Sequence, residues 1–88
     1  MFRIWGRCIK DSRTVREITV SDGDYTKNRT RMVTDALTEI CRAFDLAEPI
    51  WLDKNIREFQ QRARTSFTAD SFVEEIDFDR LELRVLEE

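Results

Sequence analysis

The chain has no histidine. That absence removes the commonest general base, the histidine-paired serine and cysteine nucleophiles, and the commonest metal ligand. Glycine occurs only at positions 6 and 23, so neither a phosphate loop nor a dinucleotide fingerprint can be written, and there is no G-x-S-x-G element. Nucleotide binding by a glycine-rich loop is excluded on composition. The single proline is Pro49, and no stretch rich in Gly, Ser or Pro marks a linker, so the 88 residues read as one domain, 1–88. Cys8 and Cys41 lie far apart, each within an apolar pattern and without metal-type spacing. They read as small buried hydrophobes rather than a disulfide. No run approaches the roughly 20 apolar residues that cross a bilayer, and the first residues lack a basic stretch followed by an apolar one. The expected location is the cytoplasm, with no membrane partner.

What is present is an unusual density of charge on a foldable core. Charged residues make up 38% and apolar residues 41%, with 10% aromatic, too hydrophobic for a disordered segment and more charged than the usual quarter. The net charge of −3 hides an asymmetry. Residues 1–34 carry eight Lys/Arg against four Asp/Glu, whereas residues 35–88 carry seven against fourteen. If the two ends of the chain are neighbours, the halves neutralise each other and the asymmetry serves the fold.

The two ends do read as neighbouring strands. Phe2, Ile4, Gly6 and Cys8 alternate with Arg3, Trp5, Arg7 and Ile9, and Leu81, Leu83 and Val85 alternate with Glu82, Arg84 and Leu86. A first hairpin joins residues 2–9 to 14–20. A two-residue loop at Asp11-Ser12 would oppose Ile4 to Thr19, so apolar parity requires an odd loop, Lys10 to Ser12. That register opposes Ile4 to Ile18, Phe2 to Val20 and Arg16 to Gly6. Ser21-Asp22-Gly23-Asp24 ends the second strand. From about Thr26 to Phe44, Val33, Leu37, Ile40, Cys41 and Phe44 form the stripe of an amphipathic helix of about five turns, capped by Asp24 or Thr26. Pro49 to Leu52 is an apolar plug, Asp53 caps a second, surface helix over about 54–64, and Thr65 to Phe67 can be extended. A short helical piece from Thr68 or Asp70 carries Phe72, Val73 and Ile76 inward before the last strand.

The expected architecture is α+β: a small mixed sheet, with the first strand between the second and the last, packed against a long helix in a β-grasp-like sandwich. Parallel pairing of the terminal strands is the favoured orientation.

Three constellations could carry function. Arg3, Trp5, Arg7, Ile9, Glu82, Arg84 and Leu86 share the sheet face away from the long helix and suit docking to a protein partner or a second copy. Within the monomer, the second helix or the Pro49 to Leu52 segment could equally cover this face. Asp70, Glu74, Glu75, Asp77 and Asp79 concentrate oxygen ligands that suit Mg²⁺ or Ca²⁺, without the spacing of a calcium loop, but carboxylates at a strand entry more often form a solvated face or pair with cations, here Arg3, Arg7 and Arg64. Lys27, Arg29 and Arg31 crowd the start of the long helix, where its dipole disfavours cations, and would fit an anion or nucleic acid. The acidic overall balance and the lack of interleaved aromatics disfavour nucleic acid.

Three stretches, Phe2-Arg3-Ile4-Trp5-Gly6, Pro49 to Ile56 and Asp70 to Asp79, resemble a family of short uncharacterised bacterial proteins. The resemblance implies no activity, cofactor or catalytic residue. The sequence therefore points to a non-enzymatic interaction module acting through a sheet face or edge strand, with no cofactor. A metal-assisted enzyme using residues 70–79 and a weak nucleic-acid binder are the alternatives.

Overall fold

The computed structural model describes residues 1–88 as four strands and two α-helices: β1 (Phe2–Lys10), β2 (Arg13–Asp22), α1 (Arg29–Ala43), α2 (Asp53–Arg62), β3 (Arg64–Phe67) and β4 (Arg80–Glu87). The strands form one sheet in the order β2-β1-β4-β3, and every neighbouring pair is antiparallel. The terminal strands thus meet as expected, with β1 between β2 and β4. Their orientation and the mixed character of the sheet do not follow the expectation.

The reason is β3. A helical return from α1 would have delivered β4 parallel to β1, but Arg64–Phe67 makes one further pass along the sheet before the chain turns. Residues 68–79 then bring it to the far end of β1, where the Asp79 N–H donates to the Ile9 carbonyl at 2.8 Å. β4 starts beside the end of β1 and runs back.

The hairpin solves the parity problem in an unexpected way. The loop does have two residues, Asp11 and Ser12, with φ of 52° and 65°, the double positive-φ geometry that matches strand twist. A bulge at Val15 then restores the parity, so Cys8 faces Arg16, Gly6 faces Ile18 and Ile4 faces Val20. This register lies two residues from the expected one. Arg16 therefore opposes Cys8 rather than Gly6, and its guanidinium reaches Asp77 at 3.5 Å. The Asp11 N–H donates to Asp79 Oδ2 at 2.9 Å, which pins the turn to the start of β4.

Both helices pack on the face carrying Phe2, Ile4, Cys8, Leu81 and Leu83. The first helix is shorter than its apolar stripe suggested. Asp22 and Asp24 fold residues 22–26 into successive side-chain-bonded turns, with the Asp24 N–H donating to Asp22 and the Thr26 N–H to Asp24. Asn28 is then the cap, its Oδ1 accepting from the Arg31 N–H at 2.8 Å. Met32, Val33, Ala36, Leu37, Ile40 and Cys41 are buried along one side.

Helix α2 buries only Asn55 and Phe59, and it ends at Ala63 in the left-handed conformation. It starts on Asp53 itself, with Asn55 Oδ1 accepting from the Leu52 N–H. Trp51 stands edge-on to Phe59 and Phe67, with ring centroids 5.7 and 5.0 Å away, closing the core at β3. Beyond β3 a single 3₁₀ turn, Ala69–Ser71, leads to Phe72, which is buried against Phe78. Val73, expected inward, is 86% exposed.

At the centre, the helix touches the sheet where a side chain is missing. A Cβ on Gly6 would lie 2.8 Å from both Cδ1 and Cγ2 of Ile40. The Gly6→Ala substitution should cost about 1–3 kcal/mol by overpacking, and trimming the partner with Ile40→Val should recover part of that loss. Urea melts of the two single variants and the double variant measure the coupling, and additive effects would contradict this seat.

Cys8 and Cys41 are free thiols and are buried. Burial raises the Cys8 thiol and pushes Cys41 up to about 12, with Glu48 adding to the second shift. Both should resist a thiol-reactive dye at pH 8 in the native state and label together once urea opens the core. Rapid native labelling would show that α1 is not held on the sheet.

Candidate functional site

The face of the sheet opposite the helices is formed by the alternate residues Arg3, Trp5, Arg7 and Ile9 of β1, with Glu82 and Arg84 of β4 as cross-strand partners of Arg7 and Trp5. Neither α2 nor residues 49–52 covers it, because both belong to the other layer. Trp5, Arg7, Thr14, Glu17 and Glu82 are joined in one network. The Arg7 guanidinium stacks on the Trp5 ring, 4.5 Å from its centroid, and donates to Glu82 Oε1 at 3.0 Å and to Thr14 Oγ1 at 3.3 Å. Its Nε is buried without a partner. Trp5 Nε1 donates to Glu17 Oε1 across to β2. Ile9 is only 3% exposed, so it supports this face rather than presenting to a partner. Leu86 is the extra residue of a second bulge, between the pairs Arg3–Glu87 and Ile4–Val85, and is half exposed.

The acidic stretch does not converge. Asp70 accepts from Thr68 and faces Lys54 at 3.6 Å, Asp77 holds Arg16, and Asp79 caps the hairpin. No three carboxylate or cysteine side chains stand close enough to hold one metal ion.

The cations at the start of α1 find acids. Lys27 sits between Asp22 and Asp35 at 2.9 and 3.1 Å, Arg31 pairs with Asp35 at 3.0 Å, and Arg29 pairs with Glu88 at 2.8 Å. Arg29 also lies over the Phe59 ring at 5.3 Å. These pairs answer the unfavourable helix dipole, and with Arg7–Glu82 and Arg16–Asp77 they join the basic first part of the chain to the acidic second part.

The two edges of the sheet differ. At β3, Asn55 Nδ2 donates to the Ser66 carbonyl and to Thr65 Oγ1, both at 2.9 Å, so α2 guards that edge. At β2 no element takes this role. The Ile9 carbonyl points to β4, and the alternation of an antiparallel ladder then directs Arg7 and Trp5 to β4, and Cys8, Gly6 and Ile4 to β2. Across the hairpin, Arg16, Ile18 and Val20 are spent on β1. The amides and carbonyls of Glu17, Thr19 and Ser21 face outward.

Sequence reasoning missed one feature altogether. A cavity of about 360 Å³ lies along β3, walled by α2 on one side and by β3, Thr68 and the start of β4 on the other. Its lining includes Lys54, Arg62, Arg64 and Arg80, with no hydrophobic residue. These four were scattered in the sequence, and only the pass made by β3 gathers them. The one available signal was Arg62 and Arg64 flanking a helix end. A second groove of about 310 Å³ runs between α1 and α2, past Val33, Trp51, Ile56 and Phe59.

No protein family, curated protein or solved structure matches this chain. No helix is long and apolar enough to cross a membrane.

The Lys27 cluster gives a pH dependence. The backbone N–H of Asp24 and the Lys27 ammonium hold Asp22 below the usual carboxylate range, and Lys27 and Arg31 do the same for Asp35. Carboxylates lowered by folding stabilise the native state above their unfolded value, about 3.9, and lose that contribution progressively as pH falls from there through the lower folded value. Thermal melts should therefore give a plateau above about pH 5 and a drop below about pH 4. Asp22→Asn should lower the plateau and shrink the drop, and an unchanged acid limb would remove this cluster from the account.

Proposed function

We propose that this chain is a non-enzymatic interaction module that assembles through the free edge of its sheet, with a second copy of itself as the partner. The observation that carries this reading is the unguarded β2 edge, set against the guarded β3 edge. An edge strand with outward amides and carbonyls is a ready template for another strand, and proteins that do not use such an edge usually blunt it.

The sequence of β2 suits its own copy. In an antiparallel pair related by a two-fold axis at Thr19, Thr19 meets Thr19 of the second copy, Ile18 meets Val20, Glu17 meets Ser21 and Arg16 meets Asp22. Like meets like in polarity, and the one pair of full charges is of opposite sign. The outward amides of Glu17, Thr19 and Ser21 are then all used, and two four-stranded sheets become one. The bulge at Val15 ends the pairing on one side. The two buried, unlinked thiols suit a reducing compartment such as the cytoplasm.

A second reading places the contact on the open face, through Arg3, Trp5, Arg7, Arg84 and Leu86, and it is favoured by the absence of any helix there. Mass measurement by light scattering separates the two. Thr19→Pro removes an outward N–H that β1 does not use, so it should yield a folded monomer, whereas Trp5→Ala should leave the dimer intact. A wild-type protein that stays monomeric at about 1 mM, the weak end of specific association, would refute self-pairing. Loss of the dimer in Trp5→Ala alone would move the contact to the face.

A further inference from the structure

We infer that the cavity along β3 is a binding site for a small phosphate-bearing polyanion. Its lining brings together Lys54, Arg62, Arg64 and Arg80 against only two carboxylates, Glu58 and Glu82. Four cations against two anions leave an excess of two positive charges. Both carboxylates are already engaged: Glu58 accepts from the Thr65 hydroxyl at 2.7 Å, and Glu82 holds Arg7 at 3.0 Å. Lys54 has Asp70 at 3.6 Å, but Arg62, Arg64 and Arg80 form no ion pair with any residue.

Eight of the 15 basic side chains form no ion pair, and three of those eight line this one cavity, whereas the cations at the start of α1 all find partners. An independent sign of missing negative charge lies beside the cavity. Arg64 and Arg84 are direct cross-strand partners, a like-charge juxtaposition that weakens a sheet unless an anion answers it.

The chemistry of the lining narrows the ligand. Arginines recognise phosphate oxygens through pairs of parallel N–H bonds, and the Ser66 hydroxyl on the same wall adds a neutral donor. With no hydrophobic or aromatic residue in the lining, nothing offers a surface on which a nucleobase could stack. The volume of about 360 Å³ is at the small end of ligand cavities. The occupant is therefore compact, polar throughout and at least doubly negative, as in a small phosphomonoester or a diphosphate. This site lies at the opposite edge of the sheet from β2 and does not depend on self-pairing.

Calorimetric titration of the full chain with inorganic pyrophosphate at low salt tests the inference, with sulfate at matched ionic strength as the competitor. Pyrophosphate should bind and raise Tm, and the Arg64→Gln/Arg80→Gln variant should weaken binding by at least about tenfold. The unliganded variant should melt no lower than the wild type, because it relieves the opposition of Arg64 and Arg84. Arg42→Gln, which removes an unpaired charge from the far end of α1, should leave binding unchanged. The inference is overturned if sulfate shifts Tm as much as pyrophosphate, if the Arg42 variant loses as much affinity as the double variant, or if pyrophosphate does not bind.

Discussion

Everything in this small fold is arranged around the contact between Ile40 and the bare backbone of Gly6. The central strand can come that close to α1 only where it has no side chain, and the helix then reaches Phe2, Ile4 and Cys8 on β1 and Leu81 and Leu83 on β4. With 88 residues there is room for a single layer of core, so the seat of one helix decides how much apolar surface is removed from water. Because the helical layer collects most of the strands' apolar side chains, the opposite face is left to Trp5 and Ile9 among Arg3, Arg7, Glu82 and Arg84. The polarity of that face is a consequence of completing the other.

The same demand explains the two bulges. A strand has a period of two, so a slip of one residue exchanges its faces. The tight Asp11-Ser12 turn would set Ile4 against Thr19, and the extra residue at Val15 restores Val20 to the core side. At the other end of the sheet, and on the other side of β1, the extra Leu86 sets Glu87 beside Arg3 on the outer face instead of beside Phe2 on the core face. The parity argument was legible in the sequence because alternation is a local pattern. The device that satisfied it was not, since an odd loop and an even loop with a bulge leave the same alternation behind.

Much of the remaining fold could be read from periodicity: both terminal strands, their adjacency, the stripe of α1 and the burial of both cysteines. The antiparallel return of β4 could not, because it turns on Arg64-Thr65-Ser66-Phe67, four residues too short to show a period. Their identity as a strand is fixed from outside, by Asn55 reaching the Ser66 carbonyl and by Phe67 packing under Trp51. The candidate sites divide along the same line. Residues of β1 and β4 could be placed on one face because they alternate, but the arginines at 62, 64 and 80 meet only through β3. No inspection of neighbouring positions would have joined them.

The charge asymmetry of the chain links these observations. Antiparallel pairing sets the basic first strand against a last strand that carries two arginines and two glutamates, and Arg7–Glu82, Arg16–Asp77 and Arg29–Glu88 join the basic first part of the chain to the acidic second part. What remains after this pairing is uneven across the sheet. The β3 side keeps arginines without acids, while the β2 side keeps a nearly balanced strand with free backbone groups. A surplus of one sign held in a polar cavity suits a small ion of the other sign, and a balanced strand edge suits a copy of itself. The two sides of the sheet differ because α2 reaches only one of them, so the position of a ten-residue helix sets which edge can pair and which can bind.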